Sequence, residues 1–193
     1  MEFKWLNACA MLKQDNKIEF MIPPKTDFSM EGSSKNENIP FYSFNAPFYY
    51  TESDGDFVLT VKISHDFKEI YDSASIMIMK NLACWAKCNF ELTEYGTRAV
   101  TSVVTKGESD NATGTDLIAD TIWLKACRSR NNFSFLYSLD NTNYYLIRNF
   151  TLPAPSIVKV GLMAQSPIGH GGRYTYENFT IEHRTVRNIR NGE

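Results

Sequence analysis

The alternation of apolar and polar side chains limits this chain most. Phe57, Leu59, Val61 and Ile63 share one parity, while Asp56, Thr60 and Lys62 share the other. A period of two places successive side chains on opposite faces of an extended chain, so this segment is a strand with one face buried. Comparable segments are Ile18–Ile22, Phe41–Tyr50, Ile76–Met79, Cys84–Glu91, Val100–Thr105, Thr121–Cys127, Phe133–Tyr137, Tyr144–Arg148, Ile157–Ala164 and Tyr174–His183. No segment keeps a 3.6-residue period for the length of a typical helix. The best helical candidate, residues 65–71, is short and rich in aromatics. Turn signals separate the strands at Ser53-Asp54-Gly55, Lys106-Gly107-Glu108, Leu139-Asp140-Asn141 and Pro167-Ile168-Gly169. Many short strands at regular spacing predict an all-β sandwich or barrel.

The 193 residues fit one domain, with its core over about 5–183 and a short polar C-terminal tail. Met30–Asn38 reads as an exposed loop, because strands continue on both sides. A net charge of −2 gives no electrostatic footprint for nucleic acid. Arg184, Arg187 and Arg190 form the one local basic cluster, and the asparagines between them mark a solvated tail. Cys9, Cys84, Cys88 and Cys127 lack metal-ligand spacing, so we expect free thiols in a reducing compartment and neither metal nor cofactor. The apolar patch from Trp5 to Leu12 is too short and too interrupted for a secretion signal. No run approaches the ~18 apolar residues of a membrane span. The expectation is therefore a cytoplasmic protein that engages neither membrane nor nucleic acid, in which the four glycosylation sequons at Asn111, Asn132, Asn149 and Asn178 are coincidental.

Several segments carry a resemblance in order and spacing. They are Thr26-Asp27-Phe28, Asn45-Ala46-Pro47-Phe48, Tyr71-Asp72-Ser73-Ala74, Trp85-Ala86-Lys87 with Glu91, Ser102-Val103-Val104-Thr105 leading to Ser109-Asp110, Tyr137-Ser138-Leu139-Asp140, and Gly161 through Pro167. Together, from about Trp5 to Ile181, the chain resembles the uncharacterised domain family that includes the fungal regulation-of-enolase protein. That family is grouped with the concanavalin A-like lectins and glucanases. The resemblance implies a jelly-roll sandwich of two antiparallel sheets, and no settled activity. Ser75 and Asn89 stand where family members usually carry glycine.

Within Cys84–Glu91, alternation puts Ala86, Cys88 and Phe90 toward the core and Trp85, Lys87, Asn89 and Glu91 on the outer sheet face. An aromatic platform beside hydrogen-bonding groups suits a sugar ring, whose apolar face stacks while its hydroxyls find partners. Asp72 and Arg128 complete the expected ligand-binding set, with Arg128 pairing Glu91 or Asp72 across that face; Asp110 and Arg148 are weaker candidates. The glycine-rich segment Ser166–Gly172 lacks the ending of a phosphate loop, and its His170 reads as an exposed loop residue.

Hydrolysis of a glycoside needs two carboxyl groups ~5–5.5 Å or ~6.5–9.5 Å apart. Glu91 and Glu94 have opposite parity, and Lys87 is expected to hold down the pKa of Glu91. No nucleophile elbow and no cysteine–histidine pair appears. The expected function is non-catalytic binding of a carbohydrate or small polar ligand. The alternative is a regulatory module that binds a metabolic enzyme, and a glycoside hydrolase ranks third.

Overall fold

The computed structural model describes residues 1–31, 42–154 and 156–193, whose regular structure is entirely β. One sheet runs, edge to edge, β1 (Lys4–Leu6), β6 (Phe48–Asp54), β15 (Ile157–Gln165), β8 (Ser73–Asn81), β9 (Cys84–Leu92), β10 (Arg98–Lys106) and β11 (Ser109–Asp116). The other runs β14 (Tyr145–Thr151), β13 (Asn132–Ser138), β12 (Thr121–Ser129), β7 (Phe57–His65), β16 (Gly172–Glu182), β3 (Lys17–Ile22) and β2 (Ala10–Gln14). β4 (Phe28–Met30) and β5 (Tyr42–Phe44) pair as a separate two-stranded ribbon. Neighbouring strands are antiparallel throughout, as in the expected jelly roll.

The alternating residues close the space between the sheets. Leu59, Val61 and Ile63 of β7 and Leu124 and Ala126 of β12 meet Ile76 and Ile78 of β8 and Ala86, Cys88 and Phe90 of β9. A second cluster lies on the opposite face of the first sheet. There Met77, Met79, Trp85, Val103 and Met163 pack against Phe48 of β6 and against Phe28 and Ala46, which belong to the stretches 25–31 and 42–46 that carry β4 and β5 and together form a covering segment. The first sheet is thus buried on both faces, which explains why Ser73–Met79 and Cys84–Phe90 are buried without interruption.

The covering segment reaches this position through Asn45. Its side chain accepts from the Asp27 N–H at 2.8 Å and donates to the Lys25 carbonyl at 2.9 Å. Pro47, with no N–H to give, follows at the break. The strand expected over Phe41–Tyr50 is therefore two strands, β5 and the start of β6; Phe41, like residues 32–38 of the expected loop, lies outside the described residues.

Residues 65–71 do not form a helix. Phe67 and Tyr71 have φ of +49° and +70°, which no α-helix contains. His65 caps β7 from inside the core. One ring nitrogen bonds the Phe90 carbonyl at 2.9 Å, the other accepts the Phe67 N–H at 3.2 Å, and the ring stacks on Tyr174. The C-terminal tail is not simply solvated. Val186 is buried and Ile189 half-buried against Val58, Cys127 and Leu136 on the outer face of the second sheet, while the three arginines stay exposed.

Candidate functional site

Register across β8, β9 and β10 sorts the outer face of the first sheet into four rows. Met79, Trp85 and Thr105 form one, then Met77, Lys87 and Val103, then Ser75, Asn89 and Thr101, and last Ser73, Glu91 and Ala99. Directly paired residues point the same way, so the face grades from apolar at Trp85 to polar at Glu91. The covering segment seals the apolar end. At the polar end it leaves a cavity of about 530 Å³, lined among others by Asp27, Glu31, Tyr71, Lys87, Asn89, Glu91, Glu94, Thr101 and Gln165.

Lys87 joins the two halves of this arrangement. Its ammonium donates to the Phe28 carbonyl at 2.8 Å and to Gln165 Oε1 at 2.6 Å, lies 3.6 Å from Asp27 Oδ1, and is 5.7 Å from the centre of the Trp85 ring. Three partners and a ring face hold it under the covering segment, and it bonds neither Glu91 oxygen. Asp27 Oδ1 also accepts the Phe28 N–H at 2.7 Å.

The next row is a hydrogen-bonded chain. Ser75 donates to Asn89 Oδ1 at 2.8 Å; Asn89 Nδ2 donates to Thr101 Oγ1 at 2.9 Å and, over a longer 3.4 Å, to Glu91 Oε2. Ser75 and Asn89 are therefore partners, and Asn89 links this pair to the Glu91 carboxyl at the cavity wall. Burial of that carboxyl outweighs the attraction of Lys87, and the nearby Asp27 and Glu94 reinforce it, so the pKa is pushed up to about 8. Lys87 does pull this acid down, as expected, but burial of the carboxyl outweighs it and the net shift is upward.

Glu94 also lines the cavity. Parity had placed it on the other side, but β9 ends at Leu92, and a turn closed by Thr93 N–H to the Thr97 carbonyl follows. The remaining expected residues are distributed differently from their forecast. Trp85 is fully buried beneath Phe28, with its indole N–H donating to the Leu82 carbonyl at 3.0 Å, and it does not line the cavity. Asp72 is buried beside the site, accepting the Glu69 N–H at 3.1 Å, and its neighbour Tyr71 reaches the cavity instead. Arg128 belongs to the other sheet. It donates to the Arg130 carbonyl at 2.9 Å and the Ser156 carbonyl at 2.5 Å and lies over Phe133, so it pairs neither Glu91 nor Asp72. Asp110 and Arg148 pair at 2.7 Å, away from the cavity, as a surface ion pair between an exposed carboxylate and a half-buried guanidinium, worth ~0–1 kcal/mol. His170 is exposed.

Asp27, Tyr71, Glu94 and Thr101 were not singled out from sequence as site residues. Asp27 and Tyr71 lie in segments that carry the family resemblance, which is the one signal that could have pointed to them. Among the described residues no group of histidine, cysteine, aspartate and glutamate is arranged to hold a metal ion, and no helix is long and apolar enough to cross a membrane.

The raised Glu91 pKa has a consequence for stability. The carboxyl titrates near 4.5 when unfolded and about 8 when folded, so the folded chain holds the extra proton between those values. That contribution is complete below about 4.5 and is lost as pH rises through 8. His65 acts in the opposite sense: burial lowers its pKa from 6.5 to about 3, so stability is lost as pH falls through that interval. Above pH 6.5 Glu91 acts alone of the two. Thermal melts should therefore fall by several degrees between pH 6.5 and 8.5, roughly 1–2 kcal/mol. Glu91→Gln should flatten that decline; an equally steep decline in the variant would assign it to another group.

Residues 5–184 match the family described as Protein of unknown function (DUF1349). The chain is 26% identical over 182 residues to Regulation of enolase protein 1 of Saccharomyces cerevisiae, covering 92% of this chain and 87% of that one. Its fold superposes with a TM-score of 0.85 on the crystal structure of a functionally unknown protein from Saccharomyces cerevisiae, at 24% identity, across 95% of this chain and 97% of that one. A GH43 protein, the BlXynB mutant of Bacillus licheniformis, matches at 0.65 and 13% identity over 87% of this chain but 33% of its own. The exoplasmic/lumenal domain of VIP36, in its Ca²⁺/Man3GlcNAc-bound form, matches at 0.55 and 9% identity over 96% and 85% of the two chains. At such identities the last two establish the two-sheet jelly-roll sandwich and nothing finer. The match over nearly the whole chain, with a fold of that kind, places this protein in the DUF1349 family of proteins of unknown function.

Proposed function

We propose that the cavity binds a small, hydroxyl-rich ligand, a carbohydrate or sugar-derived metabolite, without turning it over. One observation carries this reading: Asn89, Thr101 and Glu91 form an oriented hydrogen-bonded group on the wall of a cavity of about 530 Å³. That size lies within the roughly 300–1,000 Å³ of small-molecule sites. At neutral pH a carboxyl with a pKa of about 8 is mostly protonated, so it offers a hydroxyl both a donor and an acceptor. Lys87, the cation of the wall, is consumed by its own partners, which favours a neutral ligand over an anionic one. The VIP36 domain is named as bound to a glycan, which is consistent with a polyol ligand for this fold. Glycoside hydrolysis would also need a second carboxyl at a fixed spacing; of the other carboxyls on this wall, Glu94 is exposed in a turn, Glu31 accepts from Asn111, and Asp27 is engaged by Lys87 and the Phe28 N–H.

Calorimetric titration with glucose, mannose, galactose and xylose, and with their disaccharides, tests the reading. At least one should bind, and Glu91→Ala or Thr101→Val should weaken it about tenfold, or 1.4 kcal/mol. No binding by any sugar, or curves unchanged by both substitutions, would end it.

The name of the yeast relative favours a second reading, in which the domain regulates a metabolic enzyme through protein contact. Capture of enolase by this chain, undiminished in Glu91→Ala, would support that reading over the cavity.

A further inference from the structure

Tyr71 is the least accommodated residue on the cavity wall. Its φ is +70°, a left-handed conformation that a bulky L-residue adopts only when its surroundings impose it. The restraints are visible. The Tyr71 N–H donates to the Leu92 carbonyl at 2.7 Å, and the Leu92 N–H donates to the Asp72 carbonyl at 3.1 Å, which bolts the segment to the end of β9.

Phe67, a few residues earlier, also has a positive φ, but its ring is used in the core, 3.7 Å from His65 and 4.8 Å from Phe90 between ring centres. Tyr71 has no such reward. Among the described residues its ring stacks on no other ring and its hydroxyl has no hydrogen-bond partner, and the side chain stays half-buried at the cavity. The side chain lines the same cavity as Glu31, Glu91 and Glu94, and burial, reinforced by those carboxyls, raises the pKa of its hydroxyl. Strained backbone that serves no packing purpose is characteristic of ligand-holding positions.

We propose that Tyr71, rather than Trp85, is the aromatic surface on which the apolar face of a sugar ring packs, in the cavity that Asn89, Thr101 and Glu91 also line. This rests on the sugar-binding reading and adds the residue that selects a ring-shaped ligand over an open-chain polyol. An aromatic face and hydrogen-bonding groups in one cavity are the two requirements of a pyranose or furanose: its C–H groups stack while its hydroxyls are held.

The test compares Tyr71→Phe, Tyr71→Ala and Tyr71→Gly with the wild type, using the tightest binder among glucose, mannose, galactose and xylose, with sorbitol as the open-chain control. Phe, which keeps the ring, should bind within about threefold of wild type, whereas Ala and Gly should each lose at least tenfold toward the sugar. Sorbitol should bind wild type at least tenfold more weakly than that sugar. Glycine tolerates the positive φ and alanine does not, so Tyr71→Gly should melt about 2–4 °C above Tyr71→Ala despite being equally poor at binding. Sugar affinity lost in Glu91→Ala but kept in Tyr71→Ala would overturn this inference and leave the cavity reading intact. Failure of all four sugars and of their disaccharides to bind the wild type would overturn both. An alanine variant that melts at or above the glycine variant would remove the strain on which the inference rests.

Discussion

Trp85→Ala should lower the free energy of unfolding by about 3–5 kcal/mol, the loss typical of a large aromatic removed from a core. The indole is fully buried between the sheet and the covering segment, edge-on to Phe28 at 5.8 Å between ring centres, and surrounded by Met77, Met79 and Val103. Truncation would leave a void under the covering segment, with few small neighbours to collapse into it. Urea unfolding measures the effect directly. Any loss of ligand affinity should be secondary, through loosening of the cavity wall made by Asp27–Glu31. A variant within 1 kcal/mol of wild type that nevertheless fails to bind sugar would mean that the indole faces the ligand, as the alternation taken alone implies.

Lys87→Met should cost a similar amount, about 3–5 kcal/mol, for a different reason. Methionine fills much of the same volume, but it strands the groups that the ammonium satisfies. The side chains of Lys87 and Asp27 are 4% and 9% exposed, so water does not readily replace the lost partner. Breaking one side of a buried pair is far more destabilising than the pair itself is stabilising. A double-mutant cycle tests this: adding Asp27→Asn to Lys87→Met should recover 1 kcal/mol or more. Simple additivity of the two substitutions would show that the covering segment is held by its apolar contacts alone.

Much of this architecture was legible in the chain. Strands with one face in the main core announced themselves, because alternation is the direct projection of a half-buried sheet. The parity of residues 84–91 correctly separates Ala86, Cys88 and Phe90 from Trp85, Lys87, Asn89 and Glu91. What parity cannot convey is whether the second face meets water or more protein. Lys87 looked like a solvent-facing charge, yet it is buried because residues far earlier in sequence fold over it, and no local pattern encodes a contact between positions 28 and 87.

The missed strands fail for related reasons. β11, Ser109–Asp116, is polar along its length and exposed at a sheet edge, so it carries no hydrophobic period. β2 is exposed at every position, and β1 and β4 are three residues long. Arg128 was misassigned because its strand had no readable sheet; only the pairing of β12 with β7 and β13 puts it across the core from Glu91. The tail was misread for lack of context, since Val186 and Ile189 bury themselves against a cluster that exists only once the second sheet has formed.

The central claim is that the polar end of the covered sheet face receives a ligand. Amide chemical-shift mapping during titration with the tightest-binding sugar tests it most directly. The account predicts saturable shifts concentrated at Tyr71, Asn89, Glu91, Thr101 and the Asp27–Glu31 stretch, with the second sheet and the tail silent. Saturable shifts centred instead on β12–β14 or the C-terminal residues, with the cavity amides unmoved, would contradict it.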